Sequence, residues 1–158
     1  METISRLNRE LTKEELTGIA SAIYLKMHDN YQQYGERFSM VDLKGIYETV
    51  KKGYERGTLI VFTDTTDRLV GIIMFDVVRT WWCKENILFE EIVMCLANDC
   101  KGFGRVAVQE LENIAEFYNC GLISAGSLLS PKDHKSIENL YMIKGGFTEK
   151  YSSYLKVR

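Results

Sequence analysis

The sequence predicts an α/β domain built on a mixed, mostly antiparallel twisted sheet, and three observations carry that prediction. Two segments of helical period come first, two β-branched runs joined by a short polar connector follow, and a strand–helix–strand unit then spans about residues 87–129. The chain has 158 residues, a length that fits one domain with a sizeable core. Its composition, 46% hydrophobic and 27% charged with one proline, is that of a water-soluble globular protein. A net charge of −2 with both signs interspersed offers no footprint for nucleic acid.

The elements can be justified in order. Thr12-Lys13-Glu14-Glu15 has the form of a capping box, and Leu16, Ile19, Ala20, Ile23 and Met27 then recur at helical spacing, to about Gln33. A second helix begins near Ser39, carries Leu43, Ile46, Tyr47, Val50 and Tyr54 on one face, and stops at Gly57. Two helices therefore precede any strand. Thr58–Thr63 and Leu69–Val78, joined by Asp64-Thr65-Thr66-Asp67, read as an antiparallel hairpin. A turn at Trp81-Trp82 leads to a third strand, Ile87–Leu96, and a Gly-x-Gly turn opens a helix with Ala107, Leu111, Ile114, Ala115 and Tyr118 on its inner face. Gly121–Leu129 returns as a strand, and the right-handed crossover makes a parallel pair with the third. A short helix over Lys135–Lys144, a break at Gly145-Gly146 and a last strand over Phe147–Val157 complete the order ααβββαβαβ.

Chemistry concentrates in Phe89–Glu112. Glu90 and Glu91 sit early in an apolar strand, and alternation puts them on opposite faces, one of them solvated. Lys101-Gly102-Phe103-Gly104-Arg105 places small residues and two flanking cations at a helix start, where unpaired N–H groups and the dipole favour a phosphate. The same residues serve equally as a strand-to-helix turn that needs glycine for its φ. The turn lacks the third glycine of the dinucleotide fingerprint and the Lys-Ser/Thr of a P-loop.

Four cysteines without CxxC spacing and two histidines, His28 and His134, argue against a metal and for free thiols in a reducing compartment. Cys95 has no His or Asp partner pattern that would make it a nucleophile. A polar N-terminus and the lack of any run of about 18 apolar residues predict a cytoplasmic protein with no membrane partner. Tyr24, Tyr31, Tyr34 and Tyr47 on the first two helices read as core aromatics. Trp81-Trp82 reads as a binding platform, a homodimer contact or simple packing.

With these residues on the page, FEEIVMCLA followed by KGFGR, and the later Gly-Gly-Phe, resemble the GNAT superfamily of acetyl-coenzyme A-dependent N-acetyltransferases, locally its histone-type branch. The resemblance covers most of the element order but is motif-level only over about residues 89–112 and 136–149. It implies a three-layer fold with helices on both faces of the sheet, and transfer of an acetyl group from acetyl-CoA to a primary amine. The acceptor would be a small molecule or a protein lysine. By the same resemblance the backbone of Val93, Met94 and Cys95 lies along the pantetheine arm. The amides of Lys101, Gly102, Phe103, Gly104, Arg105 and Val106 would cradle the pyrophosphate. Glu91 takes the place of the general base. An alkylammonium with a pKa of about 10.4 must lose a proton before it can attack, and a carboxylate in an apolar strand can accept it.

Two positions depart from the family pattern. Asp99 stands where Gln or Arg is usual. The tyrosine that protonates the departing thiolate falls at Met142 when counted from Gly146, and returns to Tyr141 only if the chain carries one extra residue there. A one-residue slip turns a helical side chain by roughly 100°, so register decides that role. The alternative to an enzyme is a non-catalytic GNAT-like module that binds a coenzyme A compound or a protein partner.

Overall fold

The computed structural model describes residues 3–31, 41–98, 101–126 and 134–150. Its elements are β1 (Ser5–Arg6), α1 (Lys13–Tyr31), α2 (Leu43–Arg56), β2 (Leu59–Thr63), β3 (Leu69–Val78), β4 (Asn86–Cys95), α3 (Phe103–Phe117), β5 (Cys120–Ser124) and α4 (His134–Glu138). The last runs on as a π-helical turn over Asn139–Lys144. All five strands form one sheet in the order β1-β2-β3-β4-β5. The first four are antiparallel neighbours, and β4 and β5 pair in parallel across the α3 crossover. The sheet is thus mixed and mostly antiparallel, as the sequence predicts.

Local chemistry explains the element boundaries. The capping box forms: Thr12 N–H donates to the Glu15 carboxylate at 2.9 Å, and Glu15 N–H donates to Thr12 Oγ1 at 3.1 Å. Gly57 ends α2 in the left-handed region, at φ 75°. In the β2–β3 hairpin the Asp64 carboxylate accepts from Thr66 N–H at 2.9 Å and Thr66 Oγ1 at 2.7 Å, which folds the connector back on itself.

Three expectations need correction or fall outside the described residues. β1 precedes both helices, so strands do not begin after them; two residues paired to Phe62 and Thr63 carry no periodicity to read. α2 starts at Leu43 rather than near Ser39, because Asp42 is the cap and accepts from Lys44 N–H at 3.0 Å; Ser39 itself lies outside the described residues. Phe147–Lys150 have no regular structure, and the remainder of the expected last strand lies outside the described residues.

The sheet has helices on both faces. α1 and α2 cover one face through Leu16, Ile19, Ile23 and Val50 against Val61, Ile72, Met74 and Met94. α3 covers the other through Phe103, Ala107, Leu111 and Ile114 against Phe62, Ile73, Phe75 and Leu88, with Tyr141 at the border. Burying about ten apolar side chains in each layer, at roughly 1.5–3 kcal/mol apiece, is what holds the amphipathic helices to the sheet.

Candidate active site in the fork between two parallel strands

The β4–β5 ladder is short. Its last pair is Phe89 with Ser124, whereas β4 continues beside β3 as far as Cys95. Over Glu90–Cys95 one edge of β4 therefore has no strand neighbour among the described residues. The register with β3 shows why the strand bends there: Met74 faces Ile92 and Phe75 faces Glu90, which leaves Glu91 as an extra, bulged residue. Leu96 N–H donates to Val70 at 2.9 Å, and antiparallel alternation then turns the main-chain groups of Met94 toward β3. Those of Val93 and Cys95 face the open edge. Of the three expected strand residues, Val93 and Cys95 thus turn their main-chain groups to the side of β4 away from β3, and Met94 does not.

The bulge also separates the two glutamates. Glu90 is buried on the α3 face, at 7% exposure. Its carboxylate accepts from the Tyr141 hydroxyl and from the Gly126 N–H, just where the backbone ladder has ended. Burial raises its pKa to about 7, against the pull of those two hydrogen bonds. Tyr141 is pushed above its ordinary value by burial, and by the adjacent Glu90 through charge and hydrogen bond.

Tyr141 reaches this position through the π turn. Gly145 N–H donates to Leu140, five residues back, at 2.8 Å, which is the bond that absorbs one extra residue in a helix. The turn over Asn139–Lys144 thus holds one residue more per turn than an α-helix, and Gly145-Gly146 follow it. The ring is braced edge-on by Phe147, with centroids 5.1 Å apart.

Glu91 is exposed on the opposite face, the one covered by α1 and α2. Partial burial raises its pKa, and the nearby Asp76 adds to that. Beside it, Ile92 and Met74 join Ile23, Met27, Asp42, Gly45, Ile46, Thr49 and Val50 around a cavity of about 340 Å³. Glu91 and Tyr141, paired as base and acid on the strength of sequence, stand on opposite faces of β4; the residue that meets Tyr141 is Glu90. Alternation separated the two carboxylates correctly, and the bulge was the feature that alternation could not show.

The glycine turn opens α3. Gly102 is the cap residue at φ 88°, and its carbonyl receives Arg105 N–H at 3.1 Å and Val106 N–H at 3.3 Å. Those two amides are used inside the helix, so the donors ahead of the first intrahelical bond are those of Phe103 and Gly104. Phe103 is buried and anchors the turn, with its ring edge-on to Phe62 at 5.4 Å. Lys101 and Arg105 are exposed. Arg105 and Lys144 share a second cavity of about 510 Å³ with Val108, Gln109, Glu112 and Gly145, between α3 and the π turn.

The other candidates are dispersed. Tyr24 stacks on His28 at 6.1 Å, while Tyr47 packs against the α1–α2 core. Tyr34, Asp99 and the side chains of Tyr31 and His134 lie outside the described residues. Trp81 and Trp82 are both exposed. Cys83 and Cys120 are free thiols, but Cys95 is disulfide-bonded, which departs from the expectation of free thiols throughout. No cluster of metal-ligating side chains occurs among the described residues, and no described helix is long and apolar enough to cross a membrane.

No protein-family model and no curated protein sequence matches this chain. Solved structures do. A possible acetyltransferase from Clostridium difficile 630 superposes with a TM-score of 0.64 at 16% identity, over 99% of this chain and 97% of that one. An aminoglycoside 6'-N-acetyltransferase from Acinetobacter baumannii gives 0.62 at 13%, over 100% and 99%. An aminoglycoside N-acetyltransferase bound to a coenzyme A–acetylneamine bisubstrate analogue gives 0.60 at 12%, also over 100% and 99%. No preference for the histone-type branch emerges from these neighbours. A five-stranded mixed sheet between α1–α2 and α3, forked at Glu90 and matched end to end by these enzymes, is the fold of the GNAT acetyltransferases.

Proposed function

We propose that this protein transfers an acetyl group from acetyl-CoA to a primary amine by direct attack. The observation that carries the reading is the fork: β4 parts from β5 after Phe89, and its open edge runs toward the glycine turn that opens α3. An extended amide-bearing arm such as pantetheine needs a strand edge with no strand beside it, which β4 presents beyond Phe89 among the described residues. A pyrophosphate needs converging N–H donors and positive charge, for which Phe103, Gly104, Lys101 and Arg105 are suited. The residues present thus fit a coenzyme A thioester.

Each catalytic role then follows from position. Glu91, with its pKa raised, accepts a proton from the ammonium, directly or through a water. The amine attacks the thioester carbonyl, the nitrogen gives its second proton to solvent, the carbon–sulfur bond breaks, and the departing thiolate takes the Tyr141 proton. The cavity beside Ile92 is lined mainly by apolar side chains, and Asp42 brings one carboxylate to it. That lining suits the alkyl body and charged end of an amine, whether a small molecule or a lysine side chain. The bisubstrate complex of the aminoglycoside enzyme supports an amine acceptor in this fold without identifying the one used here.

Calorimetric titration with acetyl-CoA tests the first part, and no binding at millimolar ligand would remove both the enzyme and the coenzyme-binding module from consideration. For the second part, Glu91→Gln should lower turnover by about 10²–10⁴-fold while leaving coenzyme affinity unchanged. Unchanged turnover would exclude Glu91 as the base. Binding without turnover of any amine by the wild type would assign the chain to the non-catalytic module.

A further inference from the structure

We infer that Glu90 is a positioning residue that acts through Tyr141, holding its hydroxyl at the apex of the fork and resupplying its proton as the thiolate leaves. This rests on the acetyl-transfer reading, and it gives a task to the most deeply buried carboxylate near the site. A buried carboxylate is costly to keep unless something specific holds it. Two partners on two different elements do so here: the Tyr141 hydroxyl from the π turn and the Gly126 N–H just beyond β5. A π turn, uncommon and costly as helix geometry, is what brings Tyr141 there.

Proton balance gives the pair its purpose. An ordinary phenol titrates near 10 and an ordinary thiol near 8.5, so a lone tyrosine donates to a thiolate uphill, and Tyr141 is a weaker acid still. A carboxyl that titrates near 7 lies on the favourable side of the thiol. In the relayed step the sulfur takes the Tyr141 proton as the carbon–sulfur bond breaks. The phenolic oxygen takes the Glu90 proton, and Glu90 is left as carboxylate. The ammonium loses two protons in becoming an amide, one to Glu91 before attack and one to solvent as the carbon–sulfur bond breaks; Glu91 passes its own to solvent, from which Glu90 is recharged, so the enzyme ends each cycle as it began.

The surroundings leave this exchange to the two groups. Of the ionisable side chains on the elements packed around Glu90, Glu110 of α3 is held by Arg6 and by Asn113 at 3.2 Å. Arg105, Glu112 and Lys144 line the cavity between α3 and the π turn. Glu91 and Asp76 occupy the other face of the sheet. Among the described residues, Tyr141 is the ionisable side chain that touches Glu90.

The test compares wild type, Glu90→Gln and Glu90→Asp by following free thiol release across pH at saturating acetyl-CoA. Wild-type turnover should fall on the alkaline side as Glu90 loses its proton near pH 7. Glu90→Gln should lower kcat at least tenfold and abolish that alkaline limb with KM for acetyl-CoA unchanged, and Glu90→Asp should restore the limb at a displaced pH. An unaltered limb in Glu90→Gln, or kcat and KM changing together at every pH, overturns the relay. A second measurement needs no turnover: the infrared difference between wild type and Glu90→Gln should show a carboxyl carbonyl band that titrates near pH 7. A band already lost by pH 5 overturns the buried pair even in an active enzyme. An intact band in a protein that binds acetyl-CoA but acetylates nothing rejects the acetyl-transfer reading and the relay with it.

Discussion

The Glu90 carboxyl loses nearly all its water when β4 is laid against the π turn, while Glu91, one residue on, keeps most of its own. The difference has a thermodynamic signature. With a folded-state pKa of about 7 against 4.5 for the free group, Glu90 binds its proton more tightly in the native chain. Its contribution to stability is complete below pH 4.5 and is lost as pH rises through 7, an effect on the order of 3 kcal/mol. Urea unfolding of wild type and Glu90→Gln at several pH values should show their difference drifting by about that amount between pH 4.5 and 7, and constant outside it. A difference independent of pH would show that Glu90 is ionised and solvated in the native state. At this scale the sequence could supply the pair of carboxylates and their opposite faces, because strand alternation is a local rule. It could not say which one is buried, since that depends on Tyr141, some fifty positions away.

Elements meet at glycines in two places that govern the site. A Cβ on Gly71 of β3 would lie 2.4–2.6 Å from ring atoms of Phe103, the residue that anchors the glycine turn. Gly71→Ala must therefore displace the ring. We expect about 1–3 kcal/mol of lost stability, read by thermal unfolding, together with weaker acetyl-CoA binding as the first turn of α3 shifts. Full retention of both would mean that the turn is held by something other than Phe103. Gly104 is the second place, where a Cβ would meet Leu140 of the π turn at 3.0 Å, so the helix start and the turn that carries Tyr141 approach closely. The capping box, the hairpin and the end of α2 at Gly57 were legible because each is written within a few consecutive residues. The bulge at Glu91 and the π turn were not, since each is a one-residue irregularity that only cross-strand or cross-helix packing specifies. Tyr141 shows the boundary well: counting along the chain left its register open, and the fold supplies the π turn over Asn139–Lys144 that carries it to Glu90.

For the molecule as a whole, the mixed sheet and the crossover were readable because hydrophobic period reports where strands and helices alternate, while the helical layer on each face was what the family resemblance implied. β1 escaped because two residues have no period, and its place at the sheet edge is set by pairing with β2 alone. What the assembled sheet adds is a junction of unusual make-up. Where the parallel ladder stops at Phe89 and Ser124, the next link between the two arms is the Gly126 amide on a side chain that can gain or lose a proton. Hydrogen–deuterium exchange resolved to single amides should thus find Gly126 becoming more protected as pH rises through about 7, when its acceptor acquires full charge. The ladder amides nearby should show no such trend, and the trend should vanish in Glu90→Gln. Equal protection on both sides of pH 7 would mean the arms are joined there by other means. If the trend is present, the opening between the arms is a clasp whose tightness is set by the acidity of the surrounding solution.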